Sequence, residues 1–197
     1  QSVMDDARRR DIGAHYTSEA NILKLINSLF MDGLREEFER IRNRISRLKS
    51  FHDRLSEIRI LDPACGCGNF LVIAYRELRL LELEVIRAMH GSQQVLDIRG
   101  LLRVTLDQMF GIEIEHFPAR IARISLWLVD HQMNMLVSQE FGIYYVRFSF
   151  TDAGNISVGN SLEIEWDEVI PREELSYIIG NPPFIGAHRK SEVQKDD

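Results

Sequence analysis

Between Ser18 and Ser50 the apolar residues fall at helical spacing. Ile22, Leu25, Ile26 and Leu29 form one stripe, with Thr17 or Ser18 placed to cap it, because a short hydroxyl side chain ahead of a helix satisfies amides that lack an intrahelical partner. Gly33 predicts a break, after which Leu34, Phe38, Ile41, Ile45 and Leu48 resume the period. From Ile58 the pattern changes to short apolar runs separated by longer periodic stretches. Ile58-Arg59-Ile60-Leu61 predicts a strand ending at Asp62-Pro63, followed by a helix through Phe70, Ile73, Ala74, Leu78 and Leu81. Met109 to Ile114 predicts a second strand, and a helix follows from about Pro118 to Leu136. Ile143 to Phe150 and Ile156 to Val158 read as strands, and Tyr177-Ile178-Ile179-Gly180 as the last one. Ser92 to Thr105 reads as an insertion or extra helix that pushes the second strand back. Strand–helix alternation predicts an α/β fold with a doubly wound parallel sheet. Residues 1–55 then form an N-terminal helical segment, and residues 56–197 the first part of an α/β domain.

Composition narrows this picture. With 197 residues, 45% hydrophobic and 27% charged, the chain has material for one globular core and a helical appendage. It lacks an apolar run of membrane-spanning length, and its N-terminus is polar, so the expectation is a cytoplasmic protein with no membrane partner. Cys65 and Cys67 are too close to suit a disulfide, and the six histidines show no metal-ligand spacing, so no metal site is expected. Arg35, Arg40, Arg42, Arg44, Arg47 and Lys49 raise the question of a phosphate-binding stripe, but interleaved Glu36, Glu37 and Glu39 favour a solvated helix face. The net charge of −6 is the wrong sign for a self-sufficient nucleic-acid binder.

Three loops carry candidate chemistry, and all fall at carboxyl ends of strands, where doubly wound sheets bind ligands. In Asp62-Pro63-Ala64-Cys65-Gly66-Cys67-Gly68-Asn69-Phe70, the two glycines let the backbone turn sharply and approach a ligand, while Asp62 can accept from an ammonium group. The loop has neither the full dinucleotide fingerprint nor a P-loop, so a cofactor without phosphate fits better than NAD or ATP. Glu113 ends the second strand, where a carboxylate can accept from both hydroxyls of a ribose; Glu82 and Glu84 lie nearer the usual spacing but inside a helical pattern. Glu115 is placed to cap the next helix or shape the pocket. In Asn181-Pro182-Pro183-Phe184 the prolines fix the backbone, so the Asn181 side-chain carbonyl and the Pro182 main-chain carbonyl can accept together from one amino group. Phe184 adds an apolar face for stacking a base. A nucleobase amine is a poor nucleophile because its lone pair is delocalised, and two accepted hydrogen bonds favour a localised one.

The string from Asp62 to Phe70 resembles the cofactor motif of class I S-adenosylmethionine-dependent methyltransferases, particularly those acting on amino groups of DNA bases. The resemblance implies that Asp62, Ala64, Gly66 and Gly68 line the methionine side, that Pro63, Asn69 and Phe70 also belong to the cofactor site, and that Cys67 stands where serine is common. Glu113 and Ile114 are similar to the second motif, and Asn181-Pro182-Pro183-Phe184 to the catalytic one. Gly13-Ala14-His15-Tyr16-Thr17 resembles the segment that covers the methionine end, where His15, Tyr16 and Thr17 would contact the cofactor, Tyr16 by a cation–π attraction. Gly159-Asn160-Ser161-Leu162 occupies the place of a third motif, in which Asn160 would meet the cofactor adenine; Asp152 is the alternative.

The order of these motifs is similar to the gamma class of adenine-N6 DNA methyltransferases, and the segments around Tyr16 and Gly66 are similar to the MmeI-like type IIG/IIL restriction–modification enzymes. That resemblance implies methyl transfer from S-adenosylmethionine to a flipped adenine of double-stranded DNA, with S-adenosylhomocysteine as product and no metal. It also implies that most of the DNA surface lies outside this chain, which reconciles the acidic pI of 5.6. Cytosine-N4 and protein-glutamine methylation are the neighbouring chemistries. A cofactor-binding module inactive in isolation, with an exposed sheet edge open to self-association, is the reading from a different class.

Overall fold

The computed structural model describes residues 18–91, 98–142 and 154–182. The first helical segment is α1 (Glu19–Ile26), a π-helical turn (Asn27–Met31) and α2 (Asp32–Ile41) in succession. The expected break at Gly33 is not there: the residue lies within α2, with open space where a side chain would be. Glycine costs only ~1 kcal/mol in a helix interior, and the buried Ile22, Ile26, Phe30, Met31, Phe38 and Ile41 outweigh it. Unlike the expected stripe, Ile22, Ile26, Phe30 and Met31 are buried while Leu25 and Leu29 face outward. Ser18 holds the cap position but makes no side-chain cap bond, and Thr17 lies outside the described residues.

α3 (Ile45–Glu57) leads into β1 (Ile60–Asp62), and a glycine turn connects it to α4 (Asn69–His90). Two 3₁₀ turns, Arg99–Leu101 and Leu106–Gln108, precede β2 (Met109–Glu113). The second turn is closed by a reciprocal capping box between Thr105 and Gln108. α5 (His116–Phe141) begins two residues before the expected Pro118 and ends at Gly142, whose positive φ of 66° suits a helix C-terminus. β3 (Asn155–Val158), the short α6 (Trp166–Val169) and β4 (Tyr177–Ile178) complete the order. The strand expected over 143–150 lies outside the described residues.

The sheet order is β3-β2-β1-β4 and every pairing is parallel, with Ile60 opposite both Met109 and Tyr177, and Glu113 opposite Val158. The expected doubly wound α/β class is therefore the observed one. Successive strand residues point to opposite faces. Ile60, Met109 and Ile156 enter the larger core shared with α1 to α5, whereas Leu61 and Ile112 meet Ile170, Ile164 and Trp166 in a smaller one. Residues of the N-terminal helices and of the sheet thus share one apolar core. Among the described residues no helix is long and apolar enough to cross a membrane.

Candidate functional site

Four parallel strands end on one edge, and their order decides which loops meet. β1 lies between β2 and β4, so Asp62 is flanked by the Glu113 loop on one side and the Asn181 loop on the other. The chain builds outward from β1 through β2 to β3 and then returns beside β1 as β4, which makes β1/β4 the point where the winding reverses. Ligands of such sheets bind at that point. The contact there is close: a Cβ on Gly180 would lie 2.6 Å from Asp62 Oδ1, so only glycine lets the strand pass the carboxylate. Asn181 and Pro182 follow directly and are exposed.

The glycine turn is held by main-chain bonds from Cys65 N–H to Ile112 O (3.0 Å) and from Gly68 N–H to Cys65 O (2.8 Å). Gly66 and Gly68 both have left-handed φ, 54° and 83°, for different ends. A Cβ on Gly66 would meet nothing within 4 Å, so that face is open to a ligand. Gly68 instead lies on α5, where a Cβ would be 3.1 Å from the Ala122 methyl. The Glu113 carboxylate accepts from Gly66 N–H and from Glu115 N–H, both at 2.9 Å, and so ties the two loops together. Glu115 occupies the cap position of α5 without a side-chain cap bond.

The electrostatics are those of a site for a cation. Asp62 is 1% exposed. Burial pushes its carboxyl up to about 7, against the Ala64 amide that donates to it at 3.1 Å, and the Glu113 charge raises it further. Burial also pushes the Cys65 thiol well above its ordinary value, with the Asp62 and Glu113 charges adding to it. Two neighbouring carboxylates of this kind repel phosphate and suit a ligand with an ammonium or sulfonium group. Asp62, Glu113 and the open face of Gly66 lie side by side at this edge. Among the described residues no cluster of His, Cys, Asp or Glu is arranged to hold a metal ion.

The third loop is placed beside Glu113 by a bond from Gly159 N–H to Glu113 O (3.0 Å). Asn160 forms a local turn, accepting from Leu162 N–H (3.1 Å) and donating to Glu163 (2.9 Å), and Trp166 Nε1 donates to Ser161 O (2.8 Å). Leu162 and Ile114 are exposed large apolar side chains at this end, 79% and 63% accessible. The structure therefore gathers Asp62, Pro63, Ala64, Gly66, Gly68, Asn69, Phe70, Glu113, Ile114, Asn160, Ser161, Leu162, Asn181 and Pro182 at one edge. His15, Tyr16, Thr17, Asp152, Pro183 and Phe184 lie outside the described residues.

Two features of the site region were not legible from the sequence. Gly111 admits the Cys65 side chain, since a Cβ there would lie 2.9 Å from its sulfur. Behind the site, a buried polar network joins His52, Tyr75, Arg79, Glu82, Asp130 and Asn134. A charged residue recurring on the inward side of a helical pattern is the signal that would have found it.

Residues 38–197 match the family model described as the DNA-methyltransferase domain of MmeI. The chain is 37% identical over 201 residues to DNA methyltransferase A of Bacillus subtilis, covering 100% of this chain and 22% of that protein. A putative type II restriction enzyme and methyltransferase of Methanocaldococcus jannaschii is 28% identical, over 86% of this chain and 15% of its own length. Among solved structures, the type IIL restriction–modification enzyme MmeI in complex with DNA superposes with a TM-score of 0.94 at 54% identity, over all of this chain and 26% of that one. The chain thus spans about a quarter or less of the relatives it matches.

Proposed function

Because this chain belongs to the MmeI DNA-methyltransferase domain family, we propose that it transfers the methyl group of S-adenosylmethionine to the N6 amino group of an adenine flipped out of double-stranded DNA, as the methyltransferase part of a restriction–modification protein. The observation that carries this reading is the convergence of Asp62, Glu113 and Asn181 on one sheet edge, with Gly180 packed on the Asp62 carboxylate.

The bound cofactor supplies an electrophilic methyl group and needs no metal to do so. Asp62 accepts from its cationic methionine end, and ionises as it does so. Pro63, Ala64, Asn69 and Phe70 complete the wall on that side, and Gly66 leaves room for close approach. Glu113, which uses one lone pair of each oxygen for its two amide partners, would accept from the ribose hydroxyls with the others. Ile114 and Leu162, both exposed, would offer apolar surface to the cofactor adenine, and Asn160 and Ser161 would supply polar groups beside it. His15, Tyr16 and Thr17 cover the methionine end. Asn181 and the Pro182 carbonyl accept from the target amine and Pro183 holds them rigid. Phe184 stacks on the flipped base. Orientation and these preset acceptors supply the rate gain. The net charge of −6 supports a reading in which most of the DNA-binding surface lies elsewhere in the protein.

The test is to incubate the intact protein with DNA and methyl-labelled S-adenosylmethionine and to digest the DNA to nucleosides. Label in N6-methyl-2′-deoxyadenosine, lost in Asn181→Ala, is the expected result. Label in N4-methyl-2′-deoxycytidine would sink the adenine assignment, and label in protein alone would sink DNA as substrate.

A further inference from the structure

The N-termini of α4 and α5 carry the two halves of the proposed cofactor site: Gly68 caps α4, and Glu115, two residues after Glu113, caps α5. Contacts between these helices keep a nearly constant offset along both. Gly68 lies on Ala122 at the site end. Tyr75 Oη donates to Asp130 Oδ1 at 2.5 Å, and Arg79 Nη2 to Asn134 Oδ1 at 3.0 Å, each pair 55 residues apart. Arg87 meets Glu140 at the far end, 53 residues apart. The helices therefore run side by side in the same direction. Asn134 Nδ2 donates to Asp130 Oδ2 at 2.9 Å and closes the middle of the seam, and Glu82 balances Arg79 at 2.6 Å. All of these central side chains are buried.

Apolar ridges and grooves repeat every turn, so they tolerate a slip of one helix along another far better than hydrogen bonds do. A slip of one turn, about 5.4 Å, would set Tyr75 against Leu126 and Asn134 against Leu83 in one direction, and Asp130 against Leu71 in the other, so either way a buried polar side chain loses its partner to a leucine. Buried polar partners are accordingly suited to fixing register between helices. At the site end there is no slack to absorb a slip, because Gly68 already touches the α5 backbone and Gly66 N–H reaches Glu113 at 2.9 Å.

We propose that Tyr75, Arg79, Asp130 and Asn134 set the axial register of α4 on α5, and so hold the glycine loop and the Glu113 loop at the separation the cofactor requires. They are positioning residues, remote from the reacting atoms. The functional half of this inference rests on the cofactor reading above; the register itself does not.

The experiment replaces the seam by apolar side chains of similar size, Tyr75→Phe, Arg79→Met, Asp130→Leu and Asn134→Leu, with Glu82→Gln so that no charge is stranded. In the intact protein, three readouts are taken: thermal unfolding, S-adenosylmethionine affinity, and alkylation of Cys65 located by peptide mass. Cys65 reports on the loop because it is buried over Gly111, whereas Cys67 is exposed. The expected result is a cooperative melt at or near the parent temperature, affinity at least tenfold weaker, and a Cys65 that becomes reactive. A folded variant with parental affinity and a protected Cys65 overturns the proposal. Should the multiple variant fail to fold, Tyr75→Phe alone removes one bond without loss of volume. It is expected to weaken binding two- to fivefold and to speed Cys65 labelling, and parental values for both overturn the proposal as well. If the parent itself binds no S-adenosylmethionine, the cofactor reading fails, and Cys65 labelling still decides the register claim.

Discussion

Asp62 and Glu82 are carboxylates of nearly equal burial, 1% and 0% exposed, in opposite circumstances. At the sheet edge, among the described residues, Asp62 has one amide, the repelling charge of Glu113 and no cation acting on it, and burial pushes it up to about 7. At the helix seam burial also works to raise Glu82, but His52, Arg79 and the amides of Arg103 and Val104 surround it and hold it below its ordinary value. The structural carboxylate is satisfied within the chain. The one at the site is held in an unfavourable environment that a cationic ligand would relieve, which is how a fold stores binding capacity at a site.

The sharpest way to break this contrast is to remove the satisfied partner. Glu82→Ala leaves Arg79, His52 and two amides buried without their acceptor, and is expected to cost about 3–5 kcal/mol in denaturant unfolding. The lowered value of Glu82 means its stabilisation is present above its ordinary 4.5 and lost as pH falls through the folded-state value, so the variant's deficit shrinks in acid. Next in size is Asn181→Ala, expected to lower the methyl-transfer rate constant ~10²–10³-fold while S-adenosylmethionine binding stays near parental in calorimetry.

Asp62→Asn goes the other way on stability. Between 3.8 and about 7 the folded chain keeps a proton that the unfolded chain releases. Stability from this group is therefore full at low pH and lost as pH rises through about 7. The amide has no charge to bury, so at pH 8 the variant is expected to be more stable by of order 2 kcal/mol and to bind cofactor at least tenfold more weakly. A variant both less stable and unchanged in affinity would erase the distinction between the two carboxylates. Smallest is Arg42→Ala: its pairing with Glu39 is exposed on both sides, and unfolding should shift by less than about 0.5 kcal/mol.

The two regions also differ in what a sequence can disclose. The edge was legible because its chemistry is local: Asp62, Gly66 and Gly68 lie in one turn, Glu113 ends an apolar run, and Asn181 precedes two prolines. Parallel order then brings the three turns together without any further instruction. The seam was illegible because its partners are 55 residues apart and helical periodicity reports burial, not pairing. Glu82 was visible only as an acid within a helical pattern, and its contacts with His52 and Val104 needed the tertiary fold. Gly33 misled for a related reason, since a local propensity of ~1 kcal/mol was overridden by packing of Phe30, Met31 and Phe38 on the core.

The most direct test is a calorimetric titration of the protein with S-adenosylmethionine, run beside Asp62→Ala and Glu113→Ala. The predicted result is saturable binding that is lost or weakened at least tenfold in both variants, while each still unfolds cooperatively. Parental binding in both folded variants would contradict the assignment, because the cofactor would then be held somewhere other than the edge where these two carboxylates meet.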